Sequence, residues 1–415
     1  MTTDPGRRQI EERLAGAGLP ALPRMAWLEL DLDALRGNLT LLRDLAGPGV
    51  PVRPVVKADA YGHGAVPIAL ALQAAGVDGL CVAAFDEALE LRAAGVTAPI
   101  LVLYPVPPAA VADAARLGIA VAGGAGATLA AIVRAAAACD PARPLAVELE
   151  VETGLGRGGV VEAELVEAAR LVAAAPGVVL TGVWTHLQAV EDEATTATQI
   201  IRFDSTVAAL RAAGIPLPPR HAAASAGLLT GDVLPYDGIR PGLALYGLLP
   251  DEIGAASVRP GVIAGLRPVL SLLARPVRVA DLPAGWGIGY GPTFRTERPS
   301  RIATLPLGYG DGWSRALANR ASAIVRGHRV PLVGNVSMDA LTADVTDVPG
   351  SPVVEDDEFV LLGAAGTERI TAADLAQERN TNSWEVVTAM ARRLPRVYHA
   401  AAGPVGLRTL TEPRA

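Results

Sequence analysis

The residue best suited to covalent chemistry is a lysine directly behind two valines, in Val55-Val56-Lys57-Ala58-Asp59-Ala60-Tyr61-Gly62-His63-Gly64. An amine at the end of an apolar strand is desolvated, which lowers its pKa and favours imine formation with an aldehyde cofactor. Tyr61 is close enough in sequence to offer a hydroxyl to that cofactor's phosphate. A turn of small residues would account for the glycines but not for the lysine. Arg157, His186, Ser225, Arg240 and Gly242 are further candidates, each at or just beyond a short apolar run. Taken singly they have plain readings: a lysine at a strand end is usually solvated, and an arginine usually pairs with a surface carboxylate.

The elements that position these residues alternate. Apolar runs at Val52–Lys57, Gly79–Ala83, Ile100–Tyr104, Gly118–Ala122, Leu145–Val151, Val178–His186, Arg220–Ala224 and Gly238–Tyr246 are separated by helical patterns rich in alanine and leucine. Eight buried strands with intervening helices are what a closed (β/α)8 barrel of the TIM type requires, although an open doubly wound sheet alternates similarly. In a barrel the candidates converge: Lys57 ends the first strand, Arg157 follows the fifth and His186 ends the sixth. Ser225 ends the seventh, and Arg240 and Gly242 lie on the eighth. All of them then belong to the C-terminal rim, where barrel enzymes bind their ligands. Beyond residue 250 the runs Val269–Val279, Arg301–Leu307, Ala323–Val325, Leu341–Val345 and Phe359–Leu362 are broken by turn residues, which predicts a mostly antiparallel β domain. A helical segment is expected over Ser383–Arg393. The expected division is a loose N-terminal extension over 1–24, a barrel over 25–255 and a C-terminal β domain over 256–415, with the linker within Pro250–Pro260.

Composition narrows the class. Of 415 residues, 51% are hydrophobic, which argues against disorder across most of the chain. The formal charge of −7, with no block of lysine and arginine, disfavours a nucleic-acid partner, because phosphate neutralisation needs a basic face. Cys81 and Cys139 lie in apolar stretches and read as reduced thiols, which points to the cytoplasm. The first two dozen residues are mixed in charge and lack the apolar core of a signal peptide. The uncharged run Leu117–Val133 falls short of a membrane span and reads better as a strand followed by a helix. Five histidines without ligand spacing predict no metal site.

The stretch around Lys57 resembles the pyridoxal-phosphate attachment motif of the alanine racemases, and the resemblance runs from about Ala26 to Tyr398. Glu152-Thr153-Gly154-Leu155-Gly156-Arg157 resembles the family's segment whose arginine contacts the cofactor hydroxyl and the substrate carboxylate. Thr185-His186 is similar to its histidine, and His221–Ser225 to its phosphate-binding turn. Arg240-Pro241-Gly242-Leu243-Ala244-Leu245-Tyr246-Gly247 resembles the eighth strand, whose arginine faces the pyridine nitrogen. Gly289-Tyr290-Gly291 is similar to the segment holding the second catalytic residue. Leu307–Gly312, with Tyr309, and Gly334–Asp339, with Met338 and Asp339, resemble the substrate-entrance and carboxylate-binding segments.

This resemblance implies an isomerase that interconverts L- and D-alanine on pyridoxal 5'-phosphate (PLP) by two-base proton transfer. Lys57 would serve the D face and Tyr290 of the other subunit the L face, in a homodimer with shared active sites. Tyr61, Arg157, His186, Ser225, Arg240, Gly242 and Leu243 would bind the cofactor, and Arg157, Tyr309 and Met338 the substrate. A phenol with a pKa near about 10 is a poor base at neutral pH. His186 and Arg240 are the groups placed to favour its ionised form. An arginine at the ring nitrogen would limit delocalisation and suppress transamination.

The chain departs from the pattern in places. Glu148, Glu150 and Glu152, spaced by two, point to one side of the fifth strand, where unpaired burial would be costly. Many family members carry a lysine that becomes carbamylated at the position of Glu150. Glu150 would supply that charge directly, in an ion pair with Arg157 and without modification. Glu152 stands where the family often has aspartate, and Ala224 where it often has asparagine. Arg392 stands where many members have a tyrosine near the cofactor phosphate; it would contact the phosphate or be solvated. The absence of that tyrosine opens the substrate range to serine or other small amino acids. Two rivals remain on the same barrel. A PLP decarboxylase would show His-x-Gly-Ser-Gly and Glu-Pro-Gly-Arg, which do not occur here. A non-catalytic PLP carrier lacks a second domain.

Overall fold

A computed structural model describes residues 2–3, 9–401 and 403–411. The chain divides into two compact units, one of Arg36–Ala60 with Ala65–Leu266, the other of Met1–Leu35, Tyr61–Gly64 and Arg267–Arg414.

The first unit is the expected parallel barrel. Leu80–Val82, Ile100–Val102, Ile119–Ala122, Leu145–Glu150, Val178–Trp184 and Arg220–His221 pair in sequence order, all parallel. The chain at Val52–Val55 and at Ile239 completes the ring through parallel bridges, Val52 to Ile239 and Val55 to Cys81. The Arg240 amide donating to the Ala223 carbonyl at 3.0 Å joins the last two segments. Leu80–Val82 and Ile100–Val102 are buried at every residue, as strands covered on both faces must be. The last segment is shorter than predicted, since Leu243–Tyr246 coils into a 3-10 turn. The uncharged run near residue 120 is indeed a strand, Ile119–Ala122, and a helix, Gly126–Ala136.

The second unit is mostly antiparallel. Its main sheet runs in the order His328–Pro331, Ser322–Val325, Phe359–Ala365, Leu270–Ala274, Ala26–Asp31, Arg396–Ala400, Gly403–Arg408. Ala26–Asp31, placed with the barrel by the sequence, instead pairs antiparallel with Leu270–Ala274 and parallel with Arg396–Ala400. The division accordingly falls at Leu266/Arg267, later than the expected 255/256. The reason is the short helix Val262–Gly265, which lies with the barrel, where Gly265 packs on Leu41.

The N-terminal extension departs from its expected looseness from Gln9 onward, whereas residues 4–8 lie outside the described residues. Ile10–Gly16 is a helix that buries Ile10 and Leu14, and its Arg13 pairs with buried Glu29 at 3.2 Å. The predicted Ser383–Arg393 helix is confined to Ser383–Thr388, started by the Asn382 side chain accepting from the Glu385 amide. Ala372–Arg379 is a further helix.

Candidate active site

The chain after Lys57 turns in a way that few sequences allow. Ala58, Asp59, Ala60 and Tyr61 all have φ between 53 and 55°. A left-handed turn costs a non-glycine residue roughly 1–2 kcal/mol, so four in succession must be held by their surroundings. The Ala58 amide donates to Glu87 Oε1, the Ala60 amide to the Val56 carbonyl at 2.9 Å and the Ala65 amide to Asp59 Oδ1 at 2.8 Å. The glycines that follow are required by contact within the second unit. A Cβ on Gly62 would lie 2.1 Å from the Val387 carbonyl oxygen, and one on Gly64 2.0 Å from the Tyr398 hydroxyl. Tyr61 itself is buried.

Lys57 is half-buried at the start of this turn. Burial first, then the positive charge of Arg157, holds its pKa below the ordinary lysine value, with Glu87 and Cys81 opposing. Arg157 donates to Glu150 Oε1 at 2.8 Å, the ion pair expected from the sequence, and its guanidinium lies 5.6 Å from the centre of the Tyr104 ring. Burial raises the Glu150 pKa, and Arg157 only partly offsets this. The backbone loop that carries Arg157 is folded around Glu152, which accepts from the amides of Gly154, Gly156 and Arg157 at 2.6, 2.9 and 3.1 Å. Burial works against its charge, but these amides outweigh it and lower its pKa. The three glutamates therefore diverge: Glu148 and Glu150 point inward and pair with cations, while Glu152, beyond the strand, organises its own loop.

Arg240 is buried at 3% exposure. It donates to the Thr185 carbonyl at 2.8 Å and the His221 carbonyl at 3.1 Å, touches His221 Nδ1, and stacks 4.7 Å from the centre of Trp184. Burial, more than any neighbour, lowers its pKa to about 10, which leaves it cationic at neutral pH. His186 stands half-buried on the same rim. Its imidazole is depressed to about 3 by burial, then by Arg240, Arg157 and Lys57, and is therefore neutral at pH 7. Ser225 opens the turn predicted for phosphate, and its hydroxyl oxygen accepts from the amides of Gly242 at 3.0 Å and Ala244 at 3.2 Å, flanking Leu243. The rim thus gathers Lys57, Arg157, His186, Ser225, Arg240, Gly242 and Leu243 in one unit. A depressed amine, a hydroxyl held on its turn by two amides, and a buried cation form a donor set that fits an aldehyde carrying a phosphate and a ring nitrogen.

In the second unit, Tyr290 tips the hairpin of Gly287–Ile288 and Phe294–Arg295, between Gly289 and Gly291 with φ of 76 and 51°, and is 81% exposed. Ile288 packs with Ile302 and Val333 beneath it. Asn335 Nδ2 donates to the carbonyls of Tyr290 and Gly291, and the amides of Tyr309 and Gly310 donate to Ser337 and Met338 at 3.0 and 2.9 Å. Tyr290, Tyr309 and Met338 thereby sit on adjoining loops, all exposed. Asp339 pairs with Arg393 at 2.6 Å, and Arg393 also grips fully buried Asp311 at 2.7 Å. Arg393 was not singled out from the sequence; its neighbour Arg392 is exposed. Arg53 and His221, which pair with Glu148, and Tyr104 were also missed, because their partners are remote in sequence. Among the described residues no group of three His, Cys, Asp or Glu is arranged for a metal, and no helix is long and apolar enough to cross a membrane.

Family models for the N-terminal and C-terminal domains of alanine racemase match residues 30–250 and 269–398. An alanine racemase of Syntrophobacter fumaroxidans is 40% identical over 384 residues, covering 90% of this chain and 97% of the relative. One from Symbiobacterium thermophilum is 41% identical over 377 residues, with the same coverage of 90% and 97%. Among solved structures, alanine racemase from Bacillus anthracis with bound L-Ala-P superposes with a TM-score of 0.86 at 32% identity, covering 94% of this chain and 99% of that one. The enzyme of D-cycloserine-producing Streptomyces lavendulae gives 0.82 at 36% identity, covering 92% and 98%.

Proposed function

The chain belongs to the alanine racemase family, and we propose that it racemises alanine on PLP through two bases, Lys57 and Tyr290. The observation that carries this reading is Lys57, half-buried behind its strand and lowered in pKa beside Arg157. PLP, when bound, supplies the electron sink that makes the α-proton of an amino acid removable. Lys57 would hold it covalently at rest. Gly242 and Leu243, with Ser225 and Tyr61, would take its phosphate, and Arg240 would face its ring nitrogen.

With substrate present, Arg157 would bind the carboxylate, kept in place by Glu150 without lysine modification. Met338 and Tyr309 would border the substrate. The freed Lys57 amine, biased towards its neutral form, would move the proton on the D face. The Tyr290 phenol of the second subunit of a homodimer would move it on the L face, so that each face has its own base. Arg240 and Arg157 would favour the phenolate that this role requires, and His186, neutral at pH 7, would assist through a hydrogen bond rather than a charge. Arg240 as a fixed cation would withhold a proton from the ring nitrogen and so restrain transamination.

The test is to assay the purified protein against a panel of L-amino acids in deuterium oxide. Racemisation with deuterium entering at Cα, fastest for alanine, supports the reading. Deuterium uptake with release of carbon dioxide, or no uptake at all, would contradict it.

A further inference from the structure

The line of polar groups that reaches Arg240 starts at the opposite end of the barrel. Arg53 Nη1 donates to Glu148 Oε1 at 2.7 Å, and Glu148 Oε2 lies 2.7 Å from His221 Nε2. His221 Nδ1 in turn touches Arg240 Nη1. A guanidinium can only donate, so Nδ1 is the acceptor, the imidazole proton is on Nε2, and that proton is donated to Glu148. Burial and Arg240 depress His221 to about 4, while His221 and Arg53 overcome burial to bring Glu148 down to about 2. Both directions agree with the assignment. Glu148, His221 and Arg240 are 2%, 2% and 3% exposed, so solvent does not compensate the guanidinium. Glu150 is paired with Arg157 and adds a smaller share at Arg240, so Glu148 is the main carboxylate balancing it, through one neutral ring.

The barrel makes room for this carboxylate. Glu148 is paired with Gly182 on the next strand, where a Cβ would lie 2.6 Å from Glu148 Cδ and 2.8 Å from Oε2. Beside it a cavity of about 250 Å³ lies at the N-terminal ends of the strands, lined by Arg53, Glu148, Leu80, Ile100, Ile119 and Thr181 among others.

We propose that Glu148, tethered by Arg53, is a positioning residue that acts through His221 to hold Arg240 charged and oriented at the cofactor nitrogen. The inference rests on the reading of Arg240 as the group at that nitrogen. A buried cation deprived of its balancing carboxylate loses orientation, and a charge-assisted hydrogen bond is worth enough to shift a ratio about tenfold or more.

Three readouts test it on the PLP-loaded enzyme. In protein labelled with 15N-histidine, His221 Nε2–H gives a slowly exchanging downfield proton resonance, assigned by its loss in His221→Asn. Glu148→Gln shifts it upfield, and Arg53→Met, a milder change, moves it the same way. Transamination events per racemisation, a ratio independent of the fraction folded, rise about tenfold in Glu148→Gln. In Glu148→Ala, acetate entering the cavity returns both resonance and ratio towards wild type, whereas neutral acetamide does not. An unmoved resonance and ratio in Glu148→Gln overturn the proposal, as does equal rescue by acetamide, which would make the role one of shape. If Arg240→Glu leaves the ratio unchanged, the ring-nitrogen reading has failed, and the resonance with its acetate rescue decides the Glu148 anchor alone.

Discussion

The barrel rim and the Tyr290 hairpin carry the two proposed bases in opposite physical settings. On the rim and in the barrel beneath it, charges are matched: Glu150 with Arg157, Glu148 with Arg53 and His221 below, and Arg240 against Thr185 and Trp184. On the hairpin, Tyr290 is 81% exposed, with Tyr309 and Met338 exposed on adjoining loops. One region fixes its side chains through their own contacts, whereas the other fixes only a backbone and leaves the side chains for something else to meet. The lesson is that pre-organisation can be complete around one proposed base and deferred around the other.

The sharpest way to break the contrast is to remove a base from each side. Lys57→Ala should abolish racemisation of both enantiomers. Tyr290→Phe should slow solvent-deuterium entry from L-alanine by about 10²–10⁴-fold while sparing exchange from D-alanine. Equal loss from both sides would remove the directional assignment.

Next in size is the hairpin's support. Ile288→Ala opens the Ile302–Val333 cluster and should lower unfolding stability by about 2–4 kcal/mol, read by chemical denaturation. A change below about 0.5 kcal/mol would mean that the hairpin is held elsewhere.

Glu150→Gln, on the rim, should raise KM for alanine about tenfold with a smaller effect on kcat, because Arg157 loses a charge-assisted hydrogen bond. An unchanged KM would show that Arg157 is positioned by its loop alone.

The last effect is in pH. His186 and His221 have folded pKa values near 3 and 4, lowered from the ordinary 6.5, so the unfolded chain binds protons that the fold refuses. Stability should therefore fall as pH drops from 6.5 towards 4, by up to about 1.4 kcal/mol per pH unit for each ring. His186→Asn should flatten that slope in thermal melts between pH 7 and 5, and an unaltered slope would contradict the neutral assignment.

The strand–helix rhythm and the rim positions were legible because buried parallel strands leave long apolar runs whose ends are easily marked. The ion pair of Glu150 and Arg157 was legible too, being only one loop apart. The turn of Ala58 to Tyr61 was not, since alanine, aspartate and tyrosine carry no left-handed signature and the bonds that hold it come from Glu87 and Ala65. Glu148 showed a need for partners, but Arg53 and His221 lie 95 and 73 residues away. Ala26–Asp31 reads as a barrel strand on pattern alone. Its pairing with Leu270–Ala274 and Arg396–Ala400 is a tertiary choice that local pattern does not encode.

Mixing two inactive variants tests most directly whether the rim of one subunit and the hairpin of another form one site. The Lys57→Ala and Tyr290→Phe proteins, each inactive in converting L-alanine, are unfolded together, refolded and assayed. Recovery of racemisation is predicted, because a mixed dimer of the proposed kind would contain one site with both bases intact. If heterodimers form and activity stays at the level of the separate variants, Tyr290 does not serve the Lys57 of its partner, and the account is wrong.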